Sequence, residues 1–158
     1  MSKATVTGFY GHDHDELDNY LKEFQALKHK DFSKAKPFFR AFKTGLLRHI
    51  LWEEEILFPV FEAKMGMKEG GPTAVMRHEH AQIKEILEAL HQKVRRQEPD
   101  SDEGEQALIA ILEAHNQKEE MILYPAIDGL TSPQEKEALF KQMQEFPKER
   151  YDNCGCGH

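Results

Sequence analysis

Cysteine is almost missing from this sequence, and the two that occur, Cys154 and Cys156, fall within its last five residues. No disulfide framework can staple the fold, so packing or bound metal must hold it. Long hydrophobic runs are missing too. Nothing approaches the roughly 18 consecutive apolar residues of a membrane span. The first residues lack the charged, apolar and small-residue blocks of a secretory signal. A cytoplasmic protein with no membrane partner is the expectation. Positive charge is in deficit, with 21 Lys and Arg against 28 Asp and Glu and a net charge of -7. The cations are scattered among acids, which argues against a nucleic-acid partner, since phosphate binding needs a basic face.

Helix breakers are few and clustered: Gly66 with Gly70, Gly71 and Pro72; Glu98 to Ser101; and Asp128-Gly129 with Ser132-Pro133. Between them the apolar spacing predicts four long helices, over 12–28, 33–65, 73–97 and 102–127. A short fifth is predicted over 132–144, where Ser132, Pro133 and Glu135 form a capping-box start. Pro37 suits a first turn, whereas Pro59 and Pro125 fall late in their helices and predict bends. At 158 residues and 39% hydrophobic composition the chain suits one all-α domain, assigned here to 1–147, followed by a Cys/Gly/His tail over 148–158.

Steps of three and four trace the inward stripe of each helix. The stripes read His14, Leu17, Leu21, Phe24; Phe39, Phe42, Leu46, His49, Glu53, Ile56, Val60; Met76, His80, Ile83, Leu87, Leu90, Val94; and Leu108, Leu112, His115, Glu119, Ile122, Ala126. Polar residues interrupt every stripe. Burying a polar group without a partner costs about 2–7 kcal/mol, and a lone carboxylate far more, so these groups need something to satisfy them. The alternative to metal is a hydrogen-bonded polar layer in the core.

The chain also repeats itself. His12-Asp13-His14 recurs as His78-Glu79-His80, and the run from His49 to Pro59 recurs from His115 to Pro125, both at an offset of 66 residues. One His-x-x-x-Glu is a weak signal, common on solvated helices. Two in-phase copies, each preceded by a helix offering one inward histidine, are much more specific. Residues four apart point the same way, so His49 with Glu53 and His115 with Glu119 each present a nitrogen and a carboxylate to the bundle axis. His14 and His80 add one nitrogen each. This donor set suits two iron ions, with zinc or manganese as substitutes, and the lack of cysteine argues against copper(I) or an iron–sulfur cluster. With both glutamates bridging and an oxo or hydroxo group between the ions, each keeps an open position. Walls of Leu17, Leu46, Ile83 and Leu112 would exclude water there.

On these residues the chain resembles the hemerythrin-like cation-binding (HHE) family over roughly 10–128. Its doubled His-x-x-x-Glu-Glu motif ends in Leu-Phe-Pro once and Leu-Tyr-Pro once. The resemblance implies an up-down-up-down four-helix bundle and a non-haem di-iron site for oxygen, nitric oxide or peroxide, with His14, His49, Glu53, His80, His115 and Glu119 as ligands. Oxygen-carrying members use a fifth histidine on the third helix, where Lys84 stands here. The set is closer to the branch resembling iron–sulfur-centre repair proteins and to iron-responsive regulatory domains. The expected function is binding, sensing or scavenging a small ligand, or iron itself. The alternatives are an oxidoreductase or iron-sulfur-centre repair and iron-donor factor, and an iron-responsive interaction domain.

Other residues carry blander expectations. His12 and His78 point away from their ligand neighbours, and His29 and His91 read as surface residues. Glu54 and Glu120 read as solvated, with a hydrogen bond to a ligand imidazole as the alternative. Tyr20 and Tyr124 read as packing, with contact to a ligand histidine as the alternative. Trp52 is expected to cover a helix contact or the subunit interface of a homo-oligomer. The tail thiols with His158 offer a metal site or a redox pair, or do neither.

Overall fold

The computed structural model describes residues 5–67 and 71–152; the tail bearing Cys154, Cys156 and His158 lies outside them. The elements are α1 (Val6–Leu27), α2 (Phe32–Trp52), a π-helical turn (Glu53–Leu57), α3 (Phe58–Met65), α4 (Gly71–Arg95), α5 (Asp102–Lys118), a second π turn (Glu119–Leu123), α6 (Tyr124–Leu130), α7 (Pro133–Gln144) and α8 (Glu149–Asp152). No described residue is in a strand, and no described helix is long and apolar enough to cross a membrane.

Contacts between helices fix an antiparallel bundle. Early α1 meets late α2 through Asp13 and Arg48, while Phe24 meets Phe39. The pairs His80–His115 and Leu90–Gly104 run α4 against α5. Phe39–His91 with Phe58–His80 joins α2 and α3 to α4, and His14–Glu120 with Gln25–Glu105 closes the ring. One core, with Leu21, Phe24, Phe39, Phe42, Leu87 and Leu108, fills the end holding the α1–α2 and α4–α5 connections; a second, with Tyr10, Phe58, Met76, Tyr124 and Ile127, fills the other under α7. The ligand candidates lie between them.

Helix α1 starts at Val6 rather than at His12. Thr5 caps it by accepting from the Gly8 N–H, and the Asp128 carboxylate accepts from the backbone N–H groups of Val6 and Thr7 at 2.7 and 3.0 Å, a charge suited to a helix N-terminus. That partner lies over a hundred residues away in sequence. The capping box at Ser132 and Glu135 forms as expected, and Gly66 ends α3 in the left-handed conformation (φ 68°). Three expectations need correction. Pro37 lies inside α2, beyond its first turn. His91 is buried, with its ring stacked on Phe39. Ile122 and Ala126 do not face inward: Ile122 is 65% exposed and Ala126 is exposed too.

The last correction has one cause. The bends expected at Pro59 and Pro125 are preceded by π turns, in which the Phe58 and Tyr124 N–H groups bond back to the Glu53 and Glu119 carbonyls five residues earlier. A π turn adds a residue to the helical cycle and advances the inward phase. Leu57 and Phe58 in the first copy, and Leu123 and Tyr124 in the second, thereby enter the core.

Candidate metal centre

All six candidate ligands converge in mid-bundle, the histidines 1–4% exposed and both glutamates fully buried. Glu53 Oε1 lies 3.0 Å from His80 Nε2 and its Oε2 lies 3.3 Å from His49 Nε2. Glu119 places Oε1 3.4 Å from His14 Nε2 and Oε2 3.0 Å from His115 Nε2. Each carboxylate therefore turns one oxygen to each histidine pair. The His14 and His49 Nε2 atoms are 3.2 Å apart. The donors form two cation-sized clusters, Glu53-His80-His115-Glu119 and His14-His49-Glu119, sharing Glu119.

The observation that tests the fit is a set of orphans. Glu53 Oε1, His80 Nε2, His115 Nε2 and Glu119 Oε2 are buried without hydrogen-bond partners. Although two of these contacts are only 3.0 Å long, their angles are not those of hydrogen bonds. Neighbouring donors about 2.1 Å from one octahedral cation sit about 3 Å apart, and leaving a buried polar atom unsatisfied costs about 1–3 kcal/mol. Imidazole nitrogens and carboxylate oxygens fit iron, manganese or zinc.

Each Nε2 is aimed inward because the opposite ring nitrogen is tied to a carboxylate. His49 Nδ1–H donates to Asp13 at 2.7 Å, His80 to Glu54 at 2.7 Å, His115 to Glu79 at 2.7 Å and His14 to Glu120 at 2.5 Å. The four bonds form a ring: each long helix supplies one carboxylate to the histidine of the next helix round the bundle. Arg48 neutralises Asp13, and Lys118 neutralises Glu79. Glu54 and Glu120 are therefore histidine partners rather than simply solvated side chains. Sequence reading missed Asp13 and Glu79 altogether, although both flank an inward histidine in the repeat.

Tyr124 sits inside the centre. Its hydroxyl donates to Glu53 and contacts Glu119 Oε1 at 2.8 Å, with His49 Nε2 at 3.3 Å. Tyr20 instead packs against the distal core. Trp52 covers a helix contact, between the Phe9 ring and the Arg48 guanidinium. His12, His29 and His78 are exposed, as expected.

Without metal the cluster is an ion-pair network. Burial disfavours charge on His49, yet the Glu53 carboxylate and the Asp13 hydrogen bond outweigh it and raise its pKa to about 10. His80 rises to about 9 against the same burial through the close Glu53 carboxylate and its bond to Glu54. Burial pushes Glu53 up, but His49 and His80 hold it well below the usual carboxylate range. Burial, then Glu119 and Glu53, push the Tyr124 phenol well above its ordinary value.

Beside the candidate ligands lies a cavity of ≈ 10 Å³, about the space of one water centre, whose walls include Leu17, Leu46, Ile83 and Leu112. These are the four apolar residues expected to surround an open metal position.

Curated relatives are named iron-sulfur cluster repair protein YtfE. The protein from Dickeya chrysanthemi is 42% identical over 45 residues, covering 28% of this chain and 20% of its own. Those from Enterobacter sp. and Escherichia coli O81 are 33% identical over 89 residues, covering 51% of this chain and 40% of theirs. The chain thus spans between a fifth and two fifths of the length of these relatives. No solved structure matches. The profile of the hemerythrin HHE cation binding domain matches residues 6–127, the stretch holding all six inward donors, and the chain belongs to that family.

Proposed function

We propose that the chain is a non-haem di-iron protein that binds, senses or scavenges a small ligand, namely oxygen, nitric oxide or peroxide. His14 and His49 would hold one iron and His80 and His115 the other. Glu53 and Glu119 would bridge them beside an oxo or hydroxo group, with zinc or manganese able to substitute. The observation that carries this reading is the pair of fully buried carboxylates, each turned to both histidine pairs beside an apolar cavity. Such a centre supplies redox equivalents and an open position for a small ligand. The protein's own part is to aim four nitrogens through the carboxylate ring, exclude bulk water with leucine and isoleucine, and hold a proton on Tyr124.

The test is anaerobic purification and metal quantification, followed by oxygen admission with the visible spectrum recorded. Two irons per chain and an oxo-bridge band are expected; one iron or none would reject the reading. A second reading, repair of iron–sulfur centres or iron donation, is favoured by the names of the relatives. It predicts that the loaded protein transfers iron to an apo iron–sulfur acceptor, whereas a ligand-binding protein keeps its iron and responds reversibly to the gas.

A further inference from the structure

The repeat that builds the centre is broken at its two doorways. On one side a groove of about 520 Å³ between α1 and α5 carries Asp15, Asp18, Glu113 and Glu120 against the single cation Lys22, and His14 lies at its floor. This groove and the inner ligand cavity share His14, Asp18, Leu112 and Asn116 as walls. The inner cavity is in turn lined by His80 and His115, whose Nε2 atoms are buried and unpartnered. An acidic surface depression therefore lies one layer of side chains, His14, Asp18, Leu112 and Asn116, from unsatisfied donors.

The equivalent side of the other repeat carries opposite charge at one wall and a bulky side chain at another. Asp18 corresponds to Lys84, and Gly11, with open space around it, corresponds to Arg77. The Arg77 guanidinium stacks over the Phe58 ring and bonds the Glu54 carbonyl and Glu62, and Phe58 in turn stacks on His80. Lys84 and Arg77 both act on Glu54. The carboxylates that orient the histidines follow this asymmetry: the side chain of Glu120, behind His14, is 41% exposed, against 20% for its counterpart Glu54 behind His80.

Resting on the di-iron reading, we infer that ferrous ions enter and leave by the acidic groove between α1 and α5. The position held by His14 and His49 then exchanges with solution ahead of the one held by His80 and His115. Carboxylates in a depression raise local cation concentration and the rate of capture, while on the other side Arg77 and Lys84 offset the carboxylates of Glu62 and Glu54 and leave less negative charge to draw the same ion.

The test uses the full chain, without oxygen. Ferrous iron is loaded at low ionic strength, and its release to ferrozine is then followed. Release is expected in two phases of equal amplitude. Asp18→Lys, which gives the groove the charge of its repeat counterpart, should slow both loading and the fast phase about tenfold. Asp15→Asn with Glu113→Gln, which touches no proposed ligand, should slow loading roughly threefold and weaken the salt dependence. Glu85→Gln with Glu103→Gln, an equal charge change at the separate α4–α5 groove, should leave both rates unchanged. Two irons leaving in one phase, or groove variants loading at the control rate, would overturn the inference alone. Failure to hold two irons would overturn the di-iron reading with it.

Discussion

The Tyr124 hydroxyl contacts Glu119 Oε1 at 2.8 Å and also donates to Glu53, whereas its repeat counterpart Phe58 stacks its ring on His80 with no polar group to offer. One half of the centre thus holds a proton donor where the other has a hydrocarbon edge. Tyr124→Phe removes a hydrogen bond from buried carboxylates that have few others. It should destabilise the metal-free chain by about 1–3 kcal/mol, read from denaturant melts. The loaded chain should lose less, because cations take over the oxygens. Equal losses with and without metal would show that the hydroxyl has only a packing role.

On the proposed ligand assignment, protons and metal compete for the same imidazoles. A histidine whose folded pKa is raised stabilises fully below the ordinary value of 6.5, and that stability is lost as pH climbs through about 9 for His80 and about 10 for His49. Glu53, held low, contributes above its ordinary 4.5 and loses that contribution as pH falls through its depressed folded value. The metal-free chain should therefore melt highest at mildly acidic to neutral pH and weaken steadily towards about pH 10. Loading at neutral pH must expel protons, measurable with an indicator dye in weak buffer. A flat melting profile from pH 6.5 to about 10, with no proton release, would contradict the ion-pair network.

The bundle and the six inward donors are legible in the sequence because a helix converts spacing of three and four into a shared face, and the repeat marks which polar residues share it. The turn after each glutamate is not legible by that rule. Stepping from Glu119 leads to Ile122, yet the π turn carries the phase past it to Leu123 and Tyr124. A proline six residues after the glutamate in both copies is the available signal, since an interrupted ladder invites such a turn. Asp13 and Glu79 were hidden for another reason. Each is the neighbour of one histidine but serves a different one, because adjacent helical residues diverge by about 100°, towards the next helix.

The carboxylate ring sets the aim of the donors. Replacing Asp13 or Glu79 with alanine frees the ring nitrogen of His49 or His115 while leaving every candidate ligand in place. Metal affinity should fall about 10- to 100-fold, measured by chelator competition, with helix content preserved. An unchanged affinity would mean that packing alone orients the imidazoles.

Removing one of the proposed bridging carboxylates is a harsher change. Glu53→Ala or Glu119→Ala should strip iron from the purified protein, while His29→Ala, at an exposed position, should retain it. Equal iron content in all three would count against the ligand assignment.

At the other end of α1, Lys28 is buried with its ammonium 2.8 Å from the fully buried Glu105 and 3.2 Å from Ser101 Oγ. Lys28, the cap that follows α1, lies fourteen residues beyond His14, about 21 Å along the axis. Lys28→Met leaves the Glu105 charge buried without its main partner and should cost about 3–5 kcal/mol. Because the two places share no partners, that loss should add to the loss from metal removal. Measuring the four combinations of variant and metal by denaturant melts tests this. Strong non-additivity would show that the metal centre and the far end of the bundle fold as one coupled unit rather than two independent supports.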